Sequence, residues 1–89
     1  MASPLRDQKS SIQVCNRANE TRTVIIEPWA EELALLPNET WLIVCESPEA
    51  EPIPVELYDD AFVVFGVKQS IVRIFCRGEQ IWEAFPALE

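Results

Sequence analysis

The sequence predicts a single all-β domain, a small antiparallel β-sandwich of six to eight strands. Short apolar runs recur about every ten residues and are separated by Pro, Asn, Asp or Gly, which is the spacing of strands and turns in sandwiches and small barrels. The runs are rich in Val, Ile and Thr, whose branched side chains favour extended backbone. A chain of 89 residues, 48% of them hydrophobic, is long enough for one modest core and too short for a second domain.

The two ends of the chain are expected to lie outside this domain. Residues 1–10 are polar, carry mixed charges and include a Pro, so we expect a flexible lead-in. Residues 84–89 show no regular pattern and are expected to form an irregular tail. The sandwich is therefore expected to span residues 11–83.

Besides the segment of residues 29–36, three strands are expected in the first half of the domain. Residues 12–15 alternate apolar and polar side chains, and residues 21–27 are rich in β-branched side chains. Residues 40–45 are almost entirely apolar, which is typical of a central strand that is covered on both faces. Pro37 and Asn38 suit the central positions of a type II turn, because Pro fixes φ and Asn tolerates a positive φ.

The segment of residues 29–36 allows two interpretations. It is rich in good helix formers, it lies next to prolines at both ends, and Trp29, Leu33 and Leu36 follow helical spacing. A helix of about two turns has little stability of its own, and strands are expected on both sides of it. We therefore expect a strand here, with one short helix over residues 29–36 as the alternative.

Four short strands are expected in the second half of the domain. Residues 55–58 and 61–67 are apolar runs joined by a turn at residues 59–60, which are both Asp. Residues 71–77 alternate cleanly, with Val, Ile and Cys on one face and the two Arg residues on the other. A glycine then turns the chain toward a last strand near residues 80–82.

The charge of the chain is distributed unevenly. Seven Lys and Arg, fifteen Asp and Glu and no His give a net charge of −8. Residues 23–67 contain ten of the acidic residues and no basic residue. Binding to nucleic acid or to an anionic membrane surface requires clustered Lys and Arg, so neither partner is expected. An acidic surface of this kind is suited to a basic protein.

The residue types present also disfavour several kinds of catalytic site. The absence of His removes Ser–His and Cys–His nucleophile pairs and the usual zinc and copper ligand sets. The many carboxylates are not accompanied by a Gly-rich phosphate loop. We therefore expect no enzyme activity, no metal and no other cofactor.

The cysteines and the apolar segments indicate a cytoplasmic location. Cys15, Cys45 and Cys76 lie far apart in apolar runs, which is typical of reduced, packed thiols. One disulfide with a free thiol is the alternative, and a reactive thiolate beside Arg17 or Arg77 is a weaker one. No apolar stretch is long enough to span a bilayer, and the N-terminus lacks the apolar core of a secretory signal.

Asn16 is followed by a strand that ends in Glu27-Pro28-Trp29 and then by Pro37-Asn38-Glu39. Over residues 12–82 this order resembles a group of small uncharacterised bacterial proteins with the pattern Asn, strand, Glu-Pro-Trp, Pro-Gly-Glu. The sequence departs at Asn38, where that group usually has Gly, and at residues 68–69, where Gly is common. The resemblance implies a compact β-sandwich, similar in architecture to cupredoxin-type or immunoglobulin-type sandwiches but without copper-ligating His, and it implies no activity.

Glu27, Trp29, Glu31 and Glu32 form the most distinctive group of candidate binding residues. As a binding site, carboxylates beside an aromatic ring would hold a Lys, an Arg or a small cation. As a structural element, Pro28 would end the strand and Trp29 would close the end of the sandwich. We favour the structural role and keep the binding role as a hypothesis.

Arg73, Phe75 and Arg77 form a second candidate surface. The three residues share the face of their strand that is opposite to its apolar face. Aromatic and Arg side chains are enriched at protein interfaces. We therefore expect this stripe to be a second protein contact or a homodimer surface.

These observations together predict a non-catalytic protein-interaction or accessory module. Its acidic segment, residues 23–67, would face a basic protein partner, or the chain would self-associate. The alternative is an acidic inhibitor that mimics nucleic acid, as a phage-encoded or toxin-neutralising protein would, because rows of carboxylates can occupy a phosphate site. A small hydrolase that uses paired carboxylates is the least supported class, because no other catalytic element accompanies them.

Overall fold

Two four-stranded sheets make up the protein, and their inner faces share one core. The structure is a computed structural model that describes residues 8–49, 51–66 and 69–85. Sheet A has the strand order β1-β4-β7-β8 and sheet B has the order β3-β2-β6-β5. The all-β sandwich predicted from the sequence is confirmed. Its strands are β1 Gln8–Cys15, β2 Arg22–Glu27, β3 Glu31–Leu35, β4 Thr40–Ser47, β5 Val55–Leu57, β6 Ala61–Phe65, β7 Ile71–Cys76 and β8 Glu79–Ala84.

The core is built from every second side chain of the paired strands. Successive side chains of a strand point to opposite faces, so one set from each sheet is directed into the sandwich. Each fully buried Val, Ile or Leu contributes about 1.5–3 kcal/mol to the free energy of unfolding. The buried residues of this core cluster are Val14, Val24, Ile26, Leu35, Trp41, Ile43, Cys45, Val64, Val72 and Ile74.

The strand β4 is central in sheet A but is covered on only one of its faces. It pairs with β1 on one side and with β7 on the other, as its apolar composition predicted. Trp41, Ile43 and Cys45 are buried, whereas Leu42, on the outer face, is 37% exposed. The expectation of cover on both faces was wrong. Within the described residues, no third layer packs on the outside of this sheet.

Sheet B contains a parallel pair, so the sandwich is not entirely antiparallel. The strand β2 pairs antiparallel with β3 and parallel with β6, with Thr23 opposite Ala61 and Glu27 opposite Phe65. A parallel pair requires a crossover connection, and the chain makes it by passing through β4 in the other sheet before it returns. Side-chain alternation does not encode strand direction, so the sequence could not predict this pairing.

Pairing with a neighbouring strand determines where β1 begins and which conformation residues 29–36 adopt. The first strand begins at Gln8, whereas the lead-in was expected to extend to residue 10. Gln8 and Lys9 are ordered because they pair with Ser47 and Glu46 at the end of β4. The segment of residues 29–36 contains the strand β3 rather than a helix, because it pairs along β2.

Two tight turns use backbone conformations with positive φ. Asn38 has a φ of 63°, and the Glu39 N–H donates to the Leu36 carbonyl at 3.1 Å, as the predicted type II turn requires. Arg77 and Gly78, between β7 and β8, have φ values of 54° and 80°. Two consecutive positive φ values are the signature of a type I′ hairpin turn, whose twist matches that of the strands.

Candidate binding surfaces

The corner between β2 and β3 is a structural plug at one end of the sandwich. The Glu27–Pro28 peptide bond is cis, and the half-buried Trp29 packs against the core. The Trp29 indole N–H donates to the Phe85 carbonyl at 2.9 Å, and its ring meets that of Trp82 edge-on at 6.0 Å. A Cβ at Gly66 would lie only 2.8 Å from the Trp29 ring, so a larger residue there would require the ring to shift. These contacts match the structural role predicted for this corner.

The predicted acidic cluster around this corner is divided between two surfaces. The Glu31 carboxylate accepts a hydrogen bond of 3.3 Å from the Trp82 indole N–H at the end of the sandwich. Glu32 is the next residue of β3 and therefore points to the opposite face. Glu27 lies with Glu32 on the outer face of sheet B. The residues Glu27, Trp29, Glu31 and Glu32 thus do not surround one shared pocket.

The outer face of sheet B carries a row of four residues that crosses all four strands. Glu32 of β3 is opposite Ile25 of β2, Ile25 is opposite Val63 of β6, and Val63 is opposite Glu56 of β5. The two carboxylates are exposed, and the two apolar side chains between them are half-buried. We call this surface the acidic face; it consists of Ile25, Glu27, Glu32, Glu56, Tyr58, Val63 and Phe65.

Tyr58 extends the acidic face at its β5 side. Its hydroxyl donates to a Glu56 carboxylate oxygen at 2.8 Å, and its side chain is 56% exposed. This hydrogen bond and the negative charge of Glu56 raise the pKa of Tyr58. A neutral aromatic ring beside a carboxylate is an arrangement that attracts Lys and Arg side chains.

The outer face of sheet A contains an arginine that is paired within the chain. Arg73 of β7 donates from Nε to Glu83 of β8 at 2.7 Å and forms a second ion pair with Glu46 of β4. The three side chains are 22–29% exposed, so solvent screens them only in part. We call Glu46, Arg73 and Glu83 the paired triad. The stripe of Arg73, Phe75 and Arg77 predicted from the sequence is therefore not a row of equivalent free residues.

The other two residues of that stripe line an open groove on the same sheet. Phe75 is opposite Leu42, which is opposite Gln13, so this row crosses three strands. The groove has a volume of about 550 Å³, with the exposed Arg77 at its rim. We call it the Arg77 groove; its lining consists of Gln13, Asn38, Glu39, Thr40, Leu42, Phe75, Arg77 and Gly78.

Glu39, which lines the Arg77 groove, lies close to Cys76. One Glu39 oxygen accepts hydrogen bonds from the Leu36 N–H at 3.1 Å and from the Trp41 indole N–H at 3.2 Å. Burial raises the pKa of Cys76, and Glu39 raises it further, against a smaller opposing effect of Arg77. The thiol form is therefore favoured, which argues against a reactive thiolate here. Cys15, Cys45 and Cys76 form no disulfide with one another, so the alternative with one disulfide is not adopted.

Only some residues of the acidic face were predicted from the sequence. Glu27 and Glu32 were among the predicted residues, whereas Ile25, Glu56 and Val63 were not. Both faces of β6 are apolar, and β2 has Val or Ile on each of its faces, so alternation alone could not show which face is outside. No group of His, Cys, Asp or Glu suited to hold a metal ion occurs in residues 8–49, 51–66 and 69–85. In the same residues, no helix is both long and apolar enough to cross a membrane.

Comparisons with known proteins add no family to this description. No protein-family model matches the chain, and no curated protein or solved structure is significantly similar to it.

Proposed function

We propose that this chain is a non-catalytic protein-binding module whose acidic face binds an extended basic segment of a partner protein. The observation that carries the proposal is the row Glu32–Ile25–Val63–Glu56 across sheet B. It presents an apolar centre between two exposed carboxylates. Such a surface is complementary to a segment with an apolar side chain between two cations.

The spacing of the row defines the expected segment. Glu32 and Glu56 are separated by three strand spacings of about 4.8 Å, or about 14 Å in total. An extended chain advances about 3.3 Å per residue, so two side chains of the same face lie about 13 Å apart when they are four positions apart in the sequence. A segment of the form Lys-x-Val-x-Lys laid across the strands therefore places one cation at each carboxylate and its Val over Ile25 and Val63.

The chain itself supplies little positive charge to the acidic face. Residues 23–67 contain no Lys or Arg, and these residues provide β3, β5, β6 and all but one residue of β2. The remaining residue, Arg22, donates a hydrogen bond from its guanidinium group to the Asp59 carbonyl. The carboxylates of the face therefore remain available to an external cation.

The apolar centre favours a protein partner over mimicry of nucleic acid. A phosphate mimic requires rows of carboxylates, whereas the middle of this row consists of Ile25 and Val63. Desolvation of these two side chains would stabilise a complex with an apolar partner side chain and would contribute nothing in a purely ionic complex.

A binding titration with short peptides tests the proposal. The probe is a labelled peptide Lys-Ser-Val-Ser-Lys, and its affinity is measured by fluorescence anisotropy at about 0.05 and 0.3 M NaCl. The comparison peptide Lys-Ser-Ser-Ser-Lys keeps both cations and lacks the apolar residue. We expect the first peptide to bind at least several-fold more tightly at both salt concentrations. Equal affinities that fall together with salt would contradict the proposal and would favour the nucleic-acid mimic instead.

Charge reversal locates the binding surface. The double variant Glu32→Lys, Glu56→Lys is expected to lose at least about tenfold in affinity for Lys-Ser-Val-Ser-Lys, because both ends of the row then repel the peptide. The matched control Glu20→Lys, Glu49→Lys makes the same change in net charge at two exposed loop positions. If both double variants lose affinity equally, overall charge rather than the acidic face binds the peptide.

A cytoplasmic location is also part of this proposal. It is supported by the three Cys residues, which form no disulfide with one another. Thiol labelling of the protein in freshly opened cells, without added reductant, is expected to modify all three cysteines after unfolding. Recovery of a disulfide-linked form would contradict this location.

A further inference from the structure

We propose that the Arg77 groove on the outer face of sheet A is a binding site for a small monocarboxylate with an apolar body. This site is separate from the acidic face, which lies on the other sheet. The floor of the groove is formed by Leu42 and Phe75, which are opposite each other on β4 and β7. A volume of about 550 Å³ lies within the range of small-molecule sites, which combine apolar walls with a few polar groups.

Arg77 provides the charge that this ligand requires. Its guanidinium group forms no ion pair within the part of the chain that the structure describes, whereas Arg73, which lies within β7, is paired twice. A guanidinium group binds a carboxylate through two parallel N–H···O hydrogen bonds. The amide of Gln13 and the hydroxyl of Thr40 line the same groove and can donate further hydrogen bonds.

The second charged residue of the groove limits the ligand to a single negative charge. Glu39 lines the groove, and its carboxylate already accepts hydrogen bonds from the Leu36 N–H and the Trp41 indole N–H. Both donors bind the same Glu39 oxygen and hold the carboxylate in place at the β3–β4 turn. Its negative charge disfavours a dianion such as a phosphate monoester. A monocarboxylate satisfies Arg77 with the least repulsion.

The backbone conformation at residue 77 supports a role for its side chain. Arg77 has a φ of 54° at the first central position of a type I′ turn, where Asn, Asp and Gly are favoured. A long side chain is unfavourable in this left-handed region. Residues held in such conformations are concentrated at ligand sites, where the side chain has a use. If residue 77 had only to form the turn, Asn would be more favourable than Arg.

An NMR titration with phenylpropionate tests the site. Phenylpropionate carries a carboxylate and an apolar ring, and phenylpropanol and phenylpropylamine are the neutral and cationic comparison compounds. We expect phenylpropionate to shift the backbone amide signals of Thr40, Leu42 and Gly78 in a saturable manner, and the comparison compounds to leave them unchanged. Phenylalanine, which adds an ammonium group near the carboxylate, is expected to bind more weakly than phenylpropionate.

The variant Arg77→Asn separates the binding role from the turn. Asn adopts a positive φ more readily than Arg, so the variant is expected to fold and to melt at the same or a higher temperature. Its affinity for phenylpropionate is expected to fall at least about tenfold, because the bidentate contact is lost. Arg77→Lys keeps the charge and is expected to retain intermediate affinity. Lys9→Asn, which removes a cation from the far end of the same sheet, is expected to bind like the unaltered chain.

Three results would overturn the proposal. The first is the absence of saturable shifts at the groove with phenylpropionate. The second is equal affinity of Arg77→Asn and the unaltered chain. The third is tighter binding of phenylalanine or phenylpropylamine, which would show that the groove selects an ammonium group rather than a carboxylate.

Discussion

The outer faces of the two sheets differ in how their charges are compensated. Both faces present half-buried apolar side chains in the middle of four strands. On sheet A, Arg73 lies between Glu46 and Glu83 and forms an ion pair with each of them within the chain. On sheet B, Glu32 and Glu56 stand at the two ends of an apolar row. The comparison shows that charge pairing, rather than the amount of apolar surface, distinguishes a self-sufficient face from one suited to a partner.

This difference follows from the order of the strands in the chain. Sheet B is built almost entirely from residues 23–67, the segment without Lys or Arg. Sheet A takes only β4 from that segment and receives Arg73 from β7. The uneven charge of the sequence is therefore converted by the fold into one acidic face and one internally paired face.

Removal of the cation from the paired triad is expected to have the largest effect on stability. Arg73→Met keeps an extended side chain but leaves Glu46 and Glu83 partly buried without a counter-charge. We expect the free energy of unfolding to fall by about 1–3 kcal/mol, measured by urea denaturation. Arg17→Met, at an exposed loop position, is the control and is expected to change it by less than about 0.5 kcal/mol. Equal small effects would show that the triad contributes no more than a surface ion pair.

Addition of a cation to the acidic face is expected to pair its carboxylates within the chain, as Arg73 does on the outer face of sheet A. Val63→Arg places a guanidinium group directly opposite Glu56, and its aliphatic part covers Ile25. We expect affinity for Lys-Ser-Val-Ser-Lys to fall about tenfold, equivalent to about 1.4 kcal/mol, with little change in stability. Val63→Met keeps the apolar centre and is expected to bind almost as well as the unaltered chain. Undiminished binding by Val63→Arg would place the peptide elsewhere.

Neutralisation of the two end carboxylates is expected to change stability by only a few tenths of a kcal/mol. The double variant Glu32→Gln, Glu56→Gln relieves repulsion within the acidic segment, so a gain of about 0.2–0.5 kcal/mol is expected at low salt. The gain should disappear near 1 M NaCl, where the screening length falls to about 3 Å. Glu83→Gln on the paired face is expected to reduce stability instead, because it removes a charged acceptor from Arg73. A loss of stability in both variants would contradict the distinction between the faces.

The smallest expected effect is on the titration of Tyr58. Because Glu56 raises the pKa of the Tyr58 hydroxyl, Glu56→Gln is expected to lower that pKa toward its ordinary value. Phenolate absorbance followed during an alkaline titration measures the change, with Tyr58→Phe as the spectroscopic blank. An unchanged midpoint would mean that Glu56 and Tyr58 are not in contact on the acidic face.

Much of the fold could be predicted from the sequence because strand alternation and turn residues are local signals. The type II turn at Pro37 and Asn38 and the face assignment of the strand containing Arg73 are examples. The parallel pairing of β2 with β6 could not be predicted, because it depends on the path of the chain between sheets. The partners of Arg73 could not be predicted either, because Glu46 and Glu83 are brought next to it only by the register of three strands.

The acidic face illustrates the same limit for function. The sequence singled out Glu27 and Glu32 for their proximity to Trp29, but the alternation of β3 separates Glu31 from Glu32. Glu32 instead gains Glu56 as a counterpart, which is 24 positions later in the sequence and three strands away. When the residues of a site come from several strands of a sheet, they show no regular spacing in the sequence.

The contact between Trp29 and the Phe85 carbonyl has a practical consequence for the design of fusion proteins. This hydrogen bond joins the end of β8 to the β2–β3 corner. An affinity tag or fluorescent partner appended shortly after residue 85 would therefore disturb the corner. A chain truncated before Phe85 would leave the indole N–H to water. Labels are better attached to the side chain of residue 17, which is exposed and lies on neither the acidic face nor the paired triad.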